Sequence, residues 1–467
     1  MAARHRHRSR IALACCISAL LCGWAMPAAA GSPPADSLAR LLLRAGLTGN
    51  NAYTLLAELT TTCGPRLSGS PGAAKAVALT AAMMRRYGFV NVRAESVMVP
   101  HWVRGSTEEA FLIEADGHRR TLAIAALGGS IGTPRTGISA ALLEVRSFNE
   151  LRAAGSRAAG KIVFFNRPMD PALLNTFAGY GGAVDQRAAG AIEAARAGAV
   201  GVIVRSVTLA HDNVPHTGSM SYADGVAKIP AVAIGIRDAD LLSAAAARDP
   251  KVRVKLRLSC ETLPDAPSAN VMGELRGTEH PEDVIVIGGH LDCWDKGVGA
   301  HDDGSGCVQA IEALRLLKEL GIMPKRTIRA VMFMNEENGS RGGPAYAAHP
   351  HRASEHHVAA IEADRGGFTP RGFTVQADSA TVERVKRWAP VLDLVGAGQI
   401  SAGHAGVDVS PIVNAGAVGF GLVVDHHRYF DLHHSANDTL QAVHPRELEL
   451  GAIAGALLVY LLSEEGL

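Results

Sequence analysis

The residues from 283 to 307 constrain the possible folds of this chain more than any other stretch. They read DVIVIGGHLDCWDKGVGAHDDGSGC, and residues 284–287 form an unbroken apolar run. Such a run is typical of a strand that is covered on both faces of a parallel sheet. The two glycines that follow let the chain turn sharply, so that His290, Asp292 and Asp302 come just after the carboxyl end of the strand. Open α/β sheets bind their ligands at this edge, which makes the stretch a candidate functional site.

The second half of the chain repeats this arrangement. Each of three further apolar strands is followed by acidic residues or histidines. The strands are 326–334, 357–361 and 417–424, and the residues that follow them are Glu336 and Glu337, Asp364, and His433 and His434. Helical patterns separate the strands, and this alternation predicts an α/β fold with a mostly parallel mixed sheet flanked by helices. Because parallel strands end at one edge, we expect these side chains to meet there.

The candidate metal ligands are too many for a single zinc ion. They are His290, Asp302, Glu337, Asp364 and either His433 or His434, with Asp292 and Glu336 close by. A catalytic zinc ion takes four ligands including water. Two imidazoles and three carboxylates therefore predict two Zn²⁺ ions per chain that share one carboxylate. Neighbouring side chains at a strand end point apart, so one of the two adjacent glutamates can bind metal while the other faces the water.

A segment of different character interrupts this pattern. Residues 128–137 (GGSIGTPRTG) and 263–268 (LPDAPS) are rich in glycine, proline and small polar residues, which is typical of domain boundaries. Short strand and helix patterns lie between them, and loop solvation explains His211 and His216 at least as well as metal binding does. We therefore predict one domain from residues 31–127 and 263–467, and an inserted domain at 128–262 that covers or guides access to the site.

Composition agrees with a folded chain of more than one domain. The chain has 467 residues, of which 48% are apolar and 19% charged, which excludes general disorder. Without the four arginines of residues 1–30, it has 42 basic and 45 acidic residues, a net charge of −3. This balance gives no support to nucleic-acid binding.

The first thirty residues have the pattern of a secretory signal peptide. Arginines at positions 4, 6, 8 and 10 precede an apolar stretch at 11–24, and three alanines at 28–30 form a cleavage site. The pattern predicts export, to the periplasm or the exterior, with no membrane span after cleavage. A membrane anchor is disfavoured because the apolar stretch is too short for a stable span. Lipid attachment at Cys22 is a weaker alternative, since the preceding Leu21 is bulky.

Four cysteines follow the predicted cleavage site, namely Cys63, Cys260, Cys293 and Cys307. An exported protein meets oxidising conditions, in which some of them can pair. Four cysteines allow three complete pairings, and their spacing does not choose among the three.

The motifs GGHLD, GAHDDGSG, NEE, EAD and HHSANDT occur in this order along the chain. Their order and spacing resemble those of the co-catalytic zinc aminopeptidase and glutamate carboxypeptidase family. The resemblance covers nearly the whole chain beyond the leader and is closest to exported dipeptidases of that family. It extends to segment 128–262, which resembles a protease-associated domain.

The resemblance implies a role for each candidate residue. His290 and Asp364 would hold one zinc ion, Glu337 and His434 the other, and Asp302 would bridge them. Glu336 takes the position of the general base, and Asp292 that of an acid that orients the ligand imidazole. In the family the late histidine ligand precedes an Asp-Thr pair by four residues, which implies His434 and leaves His433 facing away or lining the cleft. A cis peptide bond follows the bridging aspartate in the family, here between Asp302 and Asp303.

The implied function is an exported zinc metallo-exopeptidase that hydrolyses small unblocked peptides, most of all dipeptides. The implied mechanism uses a hydroxide shared by two zinc ions, with Glu336 as proton acceptor. An aminopeptidase acting on longer peptides is the first alternative, because loops and a partner subunit of the family's usual homodimer shape the pockets for the peptide ends. A binding protein of the same fold without turnover is the second, which the complete set of ligands and base disfavours.

Overall fold

The computed structural model describes residues 33–467, so the predicted leader lies outside the described residues. The helices are α1 (Ala35–Gly49), α2 (Asn51–Cys63), α3 (Pro71–Arg86), α4 (Phe148–Ala154), α5 (Thr176–Gly181), α6 (Asp185–Arg196), α7 (Ile236–Arg248), α8 (Ser305–Glu319), α9 (Gly342–Ala347), α10 (Ser379–Lys386), α11 (Ala389–Asp393), α12 (Ser410–Asn414), α13 (Tyr429–Leu432) and α14 (Pro445–Glu465). Short helical turns occupy Gly155–Ala158, Ala300–Gly304, Pro350–Ser354 and Leu440–Ala442.

The strands form two separate sheets. They are β1 (Val90–Val103), β2 (Glu108–Ile113), β3 (Arg119–Leu122), β4 (Ile124–Ala126), β5 (Ile138–Val145), β6 (Ile162–Phe165), β7 (Gly201–Arg205), β8 (Ala231–Ile234), β9 (Arg253–Leu258), β10 (Glu261–Leu275), β11 (His280–His290), β12 (Arg326–Phe333), β13 (His356–Glu362), β14 (Pro370–Gln376), β15 (Gln399–Ala402) and β16 (Val418–Val424). Each sheet has eight strands.

The first sheet has the strand order β1-β10-β12-β11-β13-β16-β14-β15. Its four central strands, β12, β11, β13 and β16, run parallel to one another. The apolar run in β11 serves both faces, because Ile285 and Ile287 pack in one core while Val284 and Val286 pack in another. Helices α8 and α14 pack against each other on this sheet, and most of their residues are buried. The predicted mixed sheet flanked by helices is confirmed.

The proline-rich stretch 263–268 lies inside a strand of the first sheet, where a linker was predicted. It belongs to β10 and pairs antiparallel with β1, with Pro267 opposite Met98. The pairing of β10 with β12 begins only at Val271, so the other edge of this stretch has no partner strand. Proline is tolerated in a strand where its missing N–H would face away from the ladder, so the prolines are compatible with β structure here.

The second sheet has the order β3-β2-β9-β5-β6-β7-β8-β4 and is also covered on both faces. In β6, Ile162 and Phe164 pack in one core, whereas Val163 and Phe165 pack in another. Strands β2, β3 and β4 precede residue 128, yet they pair within this sheet. The division of the chain into a peptidase domain and an inserted domain at 128–262 stays a prediction, although the second sheet itself begins earlier in the chain.

Two smaller features bear on the predictions for export. Across residues 33–467, no helix combines the length and the apolar character needed to cross a bilayer. Cys63, Cys260, Cys293 and Cys307 are buried as free thiols. The described part of the chain therefore contains no disulfide.

Candidate metal centre

The predicted ligands meet at the carboxyl edge of the first sheet. His290 is the last residue of β11, and Asp364 follows the end of β13. Glu336 and Glu337 follow β12, while His434 lies in the loop after α13. The parallel pairing of β12, β11 and β13 brings these strand ends side by side, as the sequence predicts.

One group of three ligand atoms surrounds the imidazole of His290. Its Nε2 lies 3.4 Å from Oδ1 of Asp302 and 3.5 Å from Oδ1 of Asp364. The three side chains satisfy the spacing expected of a shared metal ion, with His290 and Asp302 buried and Asp364 partly exposed. These are one imidazole and two carboxylates, a donor set that zinc accepts.

A second group faces the other oxygen of Asp302. Nε2 of His434 lies 3.4 Å from Oδ2 of Asp302 and 3.0 Å from Oε2 of Glu337. Asp302 therefore presents Oδ1 to one imidazole and Oδ2 to the other, which is the arrangement required of a carboxylate between two ions. The phenol of Tyr429 donates a hydrogen bond of 3.2 Å to Oδ1 and holds the aspartate in place.

His433 lies inside the cluster and does not face away from it. Its ring stacks on that of His434, with centroids 3.5 Å apart, and its Nε2 is 3.7 Å from Oδ2 of Asp302. Asp302, His433 and His434 together also satisfy the spacing of a metal group. Of the two alternatives for His433, the structure matches the one in which it lines the cleft. Distance favours His434 as a ligand because it is nearer to Asp302 and also reaches Glu337.

Asp292 does not orient the imidazole through its carboxylate. The carboxylate oxygen Oδ1 lies 3.9 Å from Nδ1 of His290, which exceeds hydrogen-bond distance. Nδ1 instead donates to the backbone carbonyl of Asp292 at 3.0 Å, which leaves Nε2 with a lone pair for a metal ion. Oδ1 of Asp292 accepts the backbone N–H groups of Asn335 and Glu336, at 2.7 and 3.1 Å. Its carboxylate thus positions the paired glutamates, while its carbonyl positions the histidine.

Two buried aspartates that sequence reasoning did not single out shape the loop around Asp302. Asp303 accepts the backbone N–H groups of His290 and Gly306, at 3.1 and 2.9 Å. Asp438 accepts those of Ala300, His301 and Asp302, at 3.1, 2.7 and 3.1 Å. The peptide bond between Asp302 and Asp303 is cis, as the family resemblance implied. Both aspartates stand inside the quoted motifs, so the motifs themselves contained the signal.

A buried arginine from the amino-terminal part of the chain also holds this loop. Arg66 is fully buried, and its guanidinium donates to the carbonyl oxygens of Leu291, Val298 and Gly299. Its backbone N–H donates to Sγ of Cys293 at 3.3 Å. Nothing in the local sequence around Arg66 marks this role, because its partners are backbone atoms far along the chain.

The carboxylates of the cluster are buried close to one another, and a cation between them would stabilise their charged forms. Burial, together with the charge of Asp302, raises the pKa of Glu337 well above its usual range. Burial, together with the charge of Asp364, raises the pKa of Glu336 to about 8. Within residues 33–467, the buried atoms Oδ2 of Asp302 and Oδ1 of Asp364 accept no hydrogen bond. Unpaired carboxylate oxygens that face imidazole nitrogens fit metal ions, whose charge would offset the mutual repulsion of these acids.

Comparison with known proteins agrees with this geometry. Residues 270–457 match the model of peptidase family M28. Carboxypeptidase Q from Mus musculus is 36% identical over 92% of this chain and 90% of its own length. The chain belongs to peptidase family M28. This M28 peptidase is also similar to a solved M28 peptidase precursor from Shewanella amazonensis, with a TM-score of 0.88 and 33% identity over 93% of this chain and 97% of that one.

A more distant structure supports the fold alone. The zinc aminopeptidase BSAP from Bacillus subtilis superposes with a TM-score of 0.63 at 22% identity, over 87% of this chain and 93% of that one. Membership of the family and the donor set agree that this M28 peptidase is a metallopeptidase.

Proposed function

We propose that this M28 peptidase is an exported di-zinc exopeptidase that hydrolyses small unblocked peptides, and dipeptides most readily. The observation that carries the proposal is the position of Asp302 between two ligand groups, with one oxygen toward each imidazole. His290 and Asp364 would hold one zinc ion with Asp302, and Glu337 and His434 would hold the other. Similarity to carboxypeptidase Q supports an exopeptidase, and the resemblance of the sequence motifs to exported dipeptidases supports the preference for short peptides.

The chain's own residues would perform the proton transfers. Glu336 is partly exposed to the cleft, whereas Glu337 is buried, as expected if one faces the water and the other a metal ion. Glu336 would accept a proton from the attacking water and pass it to the nitrogen of the leaving amine. Asp292 fixes the backbone of Glu336, so the carboxylate starts from a defined position. Zinc, when bound, polarises the peptide carbonyl and the attacking water.

Contacts from segment 128–262 support a short substrate. Thr217 donates its backbone N–H to the carbonyl of His434 at 3.0 Å. Nδ1 of His216 lies 2.7 Å from the carbonyl of His433, so this buried histidine is a structural partner of the site and not a solvated loop residue. Thr176 donates its hydroxyl to the carbonyl of His426 at 3.1 Å. These contacts join segment 128–262 to the loop that contains the two histidines. A segment held over the site in this way would leave room for a short peptide and would exclude a folded protein.

The proposal is tested with purified protein lacking the leader. Elemental analysis after zinc reconstitution should give two zinc ions per chain, and chelation should remove activity. A free dipeptide should be hydrolysed quickly, and its N-acylated and C-amidated forms slowly. Rapid cleavage of an aminoacyl arylamide and of longer peptides from the amino end, with dipeptides poor, would favour the aminopeptidase alternative. A stoichiometry of one or less would contradict the two-ion centre.

Export and assembly complete the proposal. The leader pattern at residues 1–30 supports secretion or a periplasmic location, and the family resemblance supports a homodimer. Fractionation of cells that express the full chain should find the shortened protein outside the cytoplasm. Sedimentation analysis of the purified protein should give twice the chain mass.

A further inference from the structure

A cavity of about 370 Å³ opens beside the metal centre, next to Asp364. Its lining includes Phe177 from α5, which lies in segment 128–262, together with Arg365 and the 404–407 loop. Because it adjoins a candidate metal ligand, a peptide whose scissile bond lies at the metal centre would extend one end into this space.

The wall of the cavity is aromatic and is connected to the bridging carboxylate. The ring of Phe177 stacks on that of Tyr429, with centroids 5.5 Å apart and an angle of 12° between the planes. Tyr429 in turn donates its hydroxyl to Asp302. The ring of His426 meets Phe177 edge to face at 5.5 Å. A ligand in the cavity would therefore contact a wall that is fixed with respect to the metal centre.

Glu362 also lines the cavity, and its carboxylate already has hydrogen-bond partners within the protein. Its two carboxylate oxygens accept the backbone N–H groups of Val407 and Val409, each at 2.9 Å. Gly406 approaches so closely that a Cβ there would lie 2.1 Å from Cδ of Glu362, so the loop rests directly on the acid. The other acid of the cavity, Asp364, faces the imidazole of His290. Both carboxylates thus have functions that do not require the ligand.

Arg365 also lines the cavity, and unlike the two acids it has a charged group that the described residues leave without such a partner. Its guanidinium lies over the ring of Phe177, with Cζ 5.5 Å from the ring centroid. Within residues 33–467, this guanidinium has no hydrogen bond or ion pair to another side chain or to the backbone. A guanidinium is always protonated and offers paired N–H donors that match a carboxylate.

We propose that this cavity binds a carboxylate group of the peptide substrate through Arg365, with Phe177 as its apolar wall. The proposal rests on the exopeptidase function above and deepens it, because it assigns the recognition of one substrate end to named residues. Binding of the free amine is disfavoured, since both acids of the cavity are engaged elsewhere. The carboxylate can be the terminal one or that of an acidic side chain, and the substrates below separate the two sources.

The test compares Arg365→Gln with the wild-type protein. The substrates are alanyl-alanine, its C-terminal amide, and alanyl-aspartate amide, which carries only the side-chain carboxylate. Removal of the guanidinium should raise KM for alanyl-alanine about 10- to 100-fold, the loss expected for a charge-assisted pair, with little change for the amide. Arg365→Lys keeps the charge without the paired donors and should fall between the two. Arg384→Gln, on α10 outside the cavity, is the matched control and should leave KM unchanged.

A binding measurement makes the test independent of turnover. Calorimetric titration of the zinc-loaded protein uses a dipeptide analogue with a reduced peptide bond, with and without a C-terminal amide. A loss of affinity in Arg365→Gln that is confined to the free acid supports the terminal carboxylate, and a loss of alanyl-aspartate amide hydrolysis supports the side-chain carboxylate. Equal affinity and KM in the variant and the wild type, at normal zinc content and melting temperature, would overturn the proposal. Wild-type protein that hydrolyses no peptide yet binds the analogue through Arg365 would contradict the exopeptidase function alone.

Discussion

The two sheets have the same number of strands and are both covered on both faces, but they supply different parts of the candidate site. The parallel strands of the first sheet end in ionisable residues, and several of these meet around Asp302, where they would form the ligand groups. The region that contains the second sheet contributes Phe177, His216 and Thr217, which touch the site through rings and backbone hydrogen bonds. Metal ligands need a rigid setting, whereas the walls of a substrate pocket can vary around them, so the first region would determine the chemistry and the second the substrate range.

The largest effect should come from the residue that both ligand groups share. We expect Asp302→Ala to remove both zinc ions and all measurable activity, because one carboxylate serves both groups. Elemental analysis and a dipeptide assay would measure the two losses. Asp224→Ala, at an exposed position in the other region, is the control and should change neither. Retention of two ions by Asp302→Ala would remove the basis for a bridged centre.

The adjacent histidines provide the next largest contrast. His434→Ala should cost at least one zinc ion and most of the activity, because its Nε2 is near both Asp302 and Glu337. His433→Ala should keep the metal stoichiometry, although the stacked ring of His434 loses its neighbour. Metal titration of the two variants distinguishes them. The opposite result would make His433 the ligand and change the alignment of the HHSANDT motif.

Substitutions of Glu336 and Glu337 should distinguish proton transfer from zinc binding. Glu336→Gln should lower kcat by about 10²- to 10⁴-fold with zinc retained, the usual contribution of a general base. Glu337→Gln should lower the zinc content as well, because its carboxylate faces His434. Parallel measurement of kcat and metal content tests the assignment. If both variants lost metal and rate to the same extent, the two glutamates would not have separate roles.

The smallest effect should come from a substitution at Phe177, which lines the cavity from the region that contains the second sheet. Phe177→Leu should lower kcat/KM for dipeptides about 2- to 10-fold, which is the range expected for loss of an aromatic pair. Zinc content should remain unchanged, because Phe177 is connected to Asp302 through the ring of Tyr429 and does not contact the carboxylate itself. Loss of metal in Phe177→Leu, comparable to that in Asp302→Ala, would show that the two regions do not divide the work in this way.

The sequence predicts the fold well where a local pattern is typical of only one kind of element. The apolar run at 284–287 predicts a strand with two covered faces, and the structure contains it. The stretch 263–268 misleads because proline marks both linkers and strand edges, and only the pairing partner distinguishes the two. Strands β2 to β4 resemble any short strands, and their membership of the second sheet depends on distant partners.

The same distinction applies within the site. The ligand candidates could be named from the sequence because metal chemistry uses few residue types at strand ends. The structure brings their side chains together, and their role as metal ligands stays a prediction. The role of Asp292 was predicted incompletely, since its carboxylate binds the backbone of Asn335 and Glu336. His216 was taken for a loop residue because its partner, the carbonyl of His433, is far away in sequence. The contact between His216 and this distant backbone carbonyl leaves no local pattern in the sequence.

Arg66 ties residues of the loop between Leu291 and Gly299 to a single side chain. The guanidinium is rigid and planar, so it can donate to several carbonyl oxygens at once only if these oxygens stay at fixed distances from one another. Adding or deleting one residue in this loop would break that register and shift the neighbouring Asp302. Protein engineers who seek new specificities should therefore leave the length of this loop untouched and insert residues elsewhere around the cleft.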